Sequence, residues 1–123
     1  MTVPIRLGGL YWVPDSAVAL PPQKPNRVMH PKRPFLVFSN DSVNTDDEWP
    51  LVLGFPVTTS HEFATRFCVN LPKGTCPLPK ESWVQVPLLQ PLAKEKLQTY
   101  VGPLAANTLE DIRLSLIQYT DNL

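Results

Sequence analysis

Arg33 stands just before the apolar run Pro34-Phe35-Leu36-Val37-Phe38, and Thr58, Thr59 and Ser60 stand just after a second run, Leu53-Gly54-Phe55-Pro56-Val57. Each run is strand-forming, with polar chemistry fixed at one end. If neighbouring strands pair antiparallel, the start of one lies beside the end of the next. That predicts a guanidinium and a cluster of hydroxyls on one rim of a sheet. Such a rim has the minimum equipment for holding a phosphate, because a planar guanidinium meets two phosphate oxygens in a fork and hydroxyls add donors around it. Lys24, Arg27, Lys32 and Arg33 fall within residues 21–34 with no acid among them, and His30 lies in the same stretch. A local basic loop suits a small anionic site; a solvated loop with no partner is the competing reading.

The elements that must position these residues follow from the apolar runs and the turn formers between them. Extended runs are expected over Gly9 to Pro14, Pro34 to Ser39, Leu51 to Thr58, Arg66 to Leu71 and Ser82 to Leu89. Asp15 to Arg33 forms a proline-rich basic loop of about twenty residues, a length that is usually functional or disordered. Pro72-Lys73-Gly74-Thr75 reads as a turn. Pro56 and Pro87 fall within expected strands and so mark bulges or edges. Asn107 with Glu110 three residues later predicts a helix start. Leu109, Ile112, Leu116 and Tyr119 give that helix one apolar face. Leu114 and Ile117 widen the stripe enough to cover a second surface such as a subunit interface. A shorter helix is expected from Leu92 to Leu97. Many short strands closed by one terminal helix predict a mainly β fold, a small barrel-like antiparallel sheet with a helical lid.

Composition narrows the class. The chain has 123 residues, 43% hydrophobic and 18% charged, which fits one globular domain over 1–123. Fifteen prolines favour short strands and shaped loops over long helices. Eleven basic side chains balance eleven acidic ones, against the strongly basic chain expected for broad nucleic-acid binding. No apolar stretch approaches the roughly 20 residues that span a bilayer. Met1 to Gly9 has no apolar core of signal-peptide length, so the expectation is a soluble cytoplasmic protein. Cys68, Cys76, His30 and His61 match no zinc-motif spacing, and neither metal nor cofactor is expected. Cys68 reads as a small core residue.

The order "GGLYWVP", a loop, "KRPFLVFSND", "GFPVTTS", "FATRFCVNL" and a closing amphipathic helix resembles the MazF/PemK (Kid) toxins of bacterial type II toxin–antitoxin modules. The resemblance implies an SH3-like barrel that dimerises, pairs with an antitoxin and cleaves single-stranded RNA without metal. The ribose 2′-hydroxyl would attack the adjacent phosphorus and leave a 2′,3′-cyclic phosphate. The family's R-P arginine falls on Arg33 and its strand-end threonine on Thr58, implying catalytic roles for both. Lys32, Thr59, Ser60, His30, Arg27 and Gln85 would contact RNA. The family's D-Q-x-R segment is replaced by Pro87-Leu88-Leu89-Gln90, and Gln85 takes the position of an upstream arginine. His30 is a candidate base, or a surface histidine in its loop. A weaker resemblance, through Glu81-Ser82-Trp83 and the C-terminal helix, is to the CcdB gyrase poisons. It keeps open the alternative of a relative that binds RNA or an antitoxin without cutting, or that poisons gyrase.

Overall fold

A computed structural model of the chain describes residues 4–21, 31–60, 65–74 and 77–121. The apolar runs become strands β1 (Gly9–Pro14), β2 (Lys32–Val37) and β3 (Leu51–Thr58), followed by β4 (Val69–Leu71), β5 (Ser82–Val84), β6 (Gln90–Ala93) and β7 (Tyr100–Pro103). Among the described residues these form one curled antiparallel sheet in the order β4-β5-β3-β2-β1-β7, with β6 also paired to β3. A one-turn helix α1 (Asp41–Asn44) links β2 to β3, and α2 (Ala106–Thr120) closes the fold. The expected mainly β architecture with a C-terminal helix is the one observed.

Strand alternation sorts the core into two layers. Leu10, Leu36, Phe55, Val57 and Val84 face one way and bury Ile112 of α2 with them. Tyr11, Val13, Phe35, Val37 and Val52 face the other way and pack with Leu92 and Leu97. Each wholly buried side chain of this kind contributes about 1.5–3 kcal/mol relative to exposure. Of the expected helical stripe, Ile112 is buried and Leu109 and Leu116 are half-buried, whereas Tyr119 stays exposed with its ring 5.1 Å from that of Phe67. Leu114 and Ile117 are exposed, 55% and 52%.

β3 is the strand on which the site depends. Its first half, Leu51 to Gly54, pairs with β6, and its end, Val57 and Thr58, pairs with β5. Pro56 sits where the partner changes, so its missing N–H falls in the gap, and its carbonyl accepts the Gln85 N–H at 3.0 Å. Gly54 lies between Val37 and Gln90 of the flanking strands. A Cβ there would stand 2.0 Å from the Leu36 carbonyl oxygen, so this close approach admits only glycine.

Several local expectations are corrected. The run expected from Ser82 to Leu89 ends at Val84; Pro87 sits in a 3-10 turn (Val86–Leu88), near whose start a missing N–H costs little. The helix expected from Leu92 to Leu97 is β6 followed by a second 3-10 turn (Lys94–Lys96), because Leu92 pairs with Val52 and is buried. The run expected from Arg66 shortens to β4. Cys68 is half-buried in the bend before it rather than a core residue. α2 begins at Ala106 with Ala105 at the cap, two residues before the expected cap Asn107, and no side chain caps it. α1 was not expected; the Asn40 side chain caps it by accepting from Ser42 N–H at 2.8 Å and Val43 N–H at 3.3 Å.

Candidate active-site cleft

The β2–β3 register, Phe35 opposite Pro56 and Leu36 opposite Phe55, brings the start of β2, with Arg33, to the end of β3, with Thr58. The two residues stand at the same rim. There the sheet opens into a cleft of about 560 Å³ whose walls include Arg33, Thr58, Thr59, Ser60, Lys32 and Gln85. The structure therefore brings together six of the eight residues singled out from sequence. The other two, Arg27 and His30, lie outside the described residues, as does His61.

Arg33 is not a loose surface cation. It is 6% exposed, and its Nε donates to Asp15 Oδ1 at 2.7 Å, an ion pair between two buried side chains. Nη1 reaches the Val57 carbonyl oxygen at 3.4 Å. Asp15 comes to this point because β1 runs antiparallel to β2, pairing Val13 with Arg33, and a 3-10 turn (Asp15–Ala17) begins as the strand ends. With Nε committed to Asp15, the edge left to meet an anion is the Nη1/Nη2 side of the guanidinium. Asp15 is not among the residues that line the cleft and bears on it through Arg33.

Thr58 is half-buried as the last residue of β3, paired with Trp83. Its Oγ1 accepts the Ser60 N–H at 3.0 Å. A hydroxyl that accepts from the backbone still has its own proton to donate. Thr59 and Ser60 lie beyond the strand end and are exposed. Alternation sets Thr58 and Thr59 on opposite faces, yet both border the cleft, because the strand ends between them.

Lys32 is exposed, and its Nζ sits 4.8 Å from the Trp12 ring centroid, a cation–π contact at the cleft wall. Lys80 and the buried Ser82 complete the polar lining, and the Ser82 hydroxyl donates to the Lys80 carbonyl oxygen at 2.9 Å. Gln85 is 6% exposed, and its Oε1 is buried with no hydrogen-bond partner. Asp15, Lys80, Ser82 and Trp12 escaped the sequence reading. Only Trp12, an aromatic two residues before the end of a strand, carried any local signal. Among the described residues no three His, Cys, Asp or Glu side chains gather as a metal site would require.

A curled antiparallel sheet closed by a C-terminal helix is the arrangement that the comparisons with known proteins also return. Residues 10–120 match the family described as PemK-like, MazF-like toxin of type II toxin-antitoxin system. The chain belongs to this family. Among solved structures, it is similar to MazF from Deinococcus radiodurans, at 21% identity and TM-score 0.69 over 95% of this chain and 96% of that one. It is similar also to an endoribonuclease from Mycobacterial species, at 20% identity and TM-score 0.67 over 95% and 91% of the two chains. A third structure, an endoribonuclease in complex with its cognate antitoxin from Mycobacterial species, aligns at 19% identity and TM-score 0.67 over 94% and 91%. At these identities the likeness establishes the fold. No curated protein sequence matches the chain at a significant level. Arg33 and Thr58, the positions to which the sequence resemblance pointed, both border the cleft, as does Gln85 just after β5.

Proposed function

We propose that this MazF-like toxin is a metal-independent endoribonuclease that cuts single-stranded RNA by attack of a ribose 2′-hydroxyl on the adjacent phosphorus. The P–O5′ bond breaks, leaving a 2′,3′-cyclic phosphate and a 5′-hydroxyl. The proton lost from the 2′-oxygen balances the one gained by the 5′-oxygen. Negative charge builds on the phosphoryl oxygens as the phosphorus becomes five-coordinate, and preorganised donors aimed at that charge lower the barrier. The observation that carries the reading is the meeting of the Arg33 Nη edge with the Thr58 hydroxyl in one cleft. Arg33 would hold two phosphoryl oxygens, and Thr58 would donate to one of them. Lys32, Lys80, Thr59 and Ser60 would hold the flanking backbone, with Arg27 and His30 as further contacts outside the described residues.

The test is purified protein with single-stranded RNA in EDTA. Fragments ending in 2′,3′-cyclic phosphate are expected, together with growth arrest on induction. RNA bound but left intact would identify a binding module without cleavage. Arrest with loss of DNA supercoiling and no RNA cleavage would identify a gyrase poison.

We assign the protein an antitoxin partner, a homodimeric state and a cytoplasmic location on the same reading. The exposed Leu114 and Ile117 of α2 supply an apolar surface for an interface, and among the described residues no helix is long and apolar enough to cross a membrane. Light scattering should report twice the 13.8 kDa of the chain; a monomer at micromolar concentration would refute the dimer.

A further inference from the structure

The unpartnered acceptor in the cleft wall is the observation that the reading above leaves unexplained. We infer that Gln85 reads a nucleobase: its side-chain carbonyl oxygen accepts a hydrogen bond from an N–H on the edge of a base seated in the cleft. The inference rests on the ribonuclease reading of the cleft and names what part of the RNA meets this wall.

No hydrogen bond of the fold uses the Gln85 side-chain oxygen. Its backbone is already paired, N–H to the Pro56 carbonyl at 3.0 Å and C=O to the Leu88 N–H at 2.9 Å. Gln90, five residues on, shows what a structural glutamine does here. Its Oε1 accepts from Ala19 N–H at 2.8 Å, and its Nε2 donates to Ala19 and Leu88 carbonyls, each at 3.0 Å. In Gln85 the corresponding Oε1 is buried with no partner. Buried acceptors are almost always satisfied, and one left open is unfavourable in the unliganded protein. A terminal amide torsion is broad, and no hydrogen bond holds this carbonyl against turning towards a ligand.

The ligand group that it meets must be a donor. Arg33, Lys32 and Lys80 supply the cleft's positive charge and suit phosphate oxygens, whereas a carbonyl oxygen repels them. Single-stranded RNA offers two kinds of donor, the 2′-hydroxyl and the N–H groups of the bases. The walls decide between them. Trp12, Leu20, Val57 and Leu78 line the same cleft, and apolar and aromatic surfaces suit the flat face of a base rather than a hydrated sugar. A glutamine amide adds specificity because it pairs with an N–H and a neighbouring acceptor on one base edge.

Cleavage mapping on single-stranded RNA of mixed sequence first gives the base preferred at each position around the cut. At the position of strongest preference, that base is then replaced by an analogue lacking the N–H donor, and kcat/KM is measured for wild type and Gln85→Met. Wild type should lose on the order of tenfold on the analogue, the worth of one buried hydrogen bond. Gln85→Met should cut the two RNAs equally, with a melting temperature at or above wild type because the open acceptor is gone. Unchanged base preference in Gln85→Met while wild type cleaves RNA would overturn the assignment and leave the ribonuclease reading standing. A wild type that neither cuts nor binds RNA would overturn both.

Discussion

If Asp15 fixes the Arg33 guanidinium, removing its carboxylate should cost both stability and rate, and the rate effect should pass through Arg33. The two side chains are 5% and 7% exposed, and their contact is 2.7 Å. At an effective dielectric near 20 the bare attraction at that distance is about 6 kcal/mol, much of it offset by the cost of taking both charges out of water. Removing one partner of such a pair typically costs about 3–5 kcal/mol. Arg33 borders the open cleft, so water reaches it when Asp15 is gone, and Asp15→Ala should fall at the low end, near 3 kcal/mol. Asp15→Asn retains an acceptor for Nε and should lose less. In activity, a guanidinium displaced by about 1 Å costs on the order of 10²-fold, with Asp15→Asn recovering part of it. Urea unfolding reads the stability, and single-turnover cleavage of a short RNA reads the rate. The decisive measurement is Asp15→Ala in an Arg33→Lys background. If Asp15 acts by positioning Arg33, the second substitution adds little to the loss already suffered. A full, independent rate loss in that background would refute the reasoning. The same pair complicates the simplest toxicity test, since Arg33→Ala removes both the phosphoryl donor and the Asp15 partner. The double variant Asp15→Leu/Arg33→Met replaces the pair by apolar side chains, a change often neutral to stability, and should fold, bind RNA weakly and cut none.

Thr58→Val keeps the β-branched shape that suits the end of β3 and deletes the hydroxyl. It should lower the single-turnover cleavage rate on the order of 10²–10³-fold while thermal melting shows the fold intact. Wild-type cleavage by this variant would remove Thr58 from the site, and a dead Thr59→Val beside it would transfer the role to Thr59. Burial raises the pKa of the Tyr11 phenol above its ordinary 10.0, partly opposed by the Arg6 N–H that its oxygen accepts. The unfolded chain therefore loses this proton first. Above pH 10 the unfolded state binds fewer protons than the folded one, so stability falls as pH rises. Urea midpoints at about pH 9 and about pH 11 should show that fall in wild type and a smaller one in Tyr11→Phe; equal falls would refute the assignment.

The strands that frame the cleft were legible because local and global signals agree in them. Gly9–Pro14 and Leu51–Thr58 alternate or run apolar between turn formers, and they appear with those bounds. Where the two signals part, the sequence misleads. Lys94-Glu95-Lys96-Leu97 has the composition of a helix, but Leu92 just before it is claimed by Val52, forty residues away in β3. Long-range pairing overrides local propensity. Ser82 to Leu89 reads as one extended run, but the chain turns at Val86 because β3 gives β5 only the partners Val57 and Thr58.

The site divides along the same line. Arg33 and Thr58 could be placed from sequence because each flanks a strong strand and antiparallel pairing does the rest. Asp15 could not, since an acid at the edge of a proline-rich loop has no local feature that distinguishes a buried partner from a solvated one. It is the β1–β2 register, with Val13 opposite Arg33, that carries Asp15 to the guanidinium. Gln85 entered the sequence reading only through its place in the family pattern, where an arginine is expected. Its chemistry depends on burial and on the absence of a partner for Oε1, and both are properties of the folded wall. An arginine in that wall would add a second buried cation beside Arg33 and a fourth positive charge to the cleft, with the exposed Lys32 and Lys80. A glutamine instead leaves the charge to Arg33, already neutralised on one edge by Asp15, and presents an acceptor. On the proposed reading, that division would give the cleft one surface suited to phosphate and another suited to a base, so separate substitutions should alter cutting and choosing.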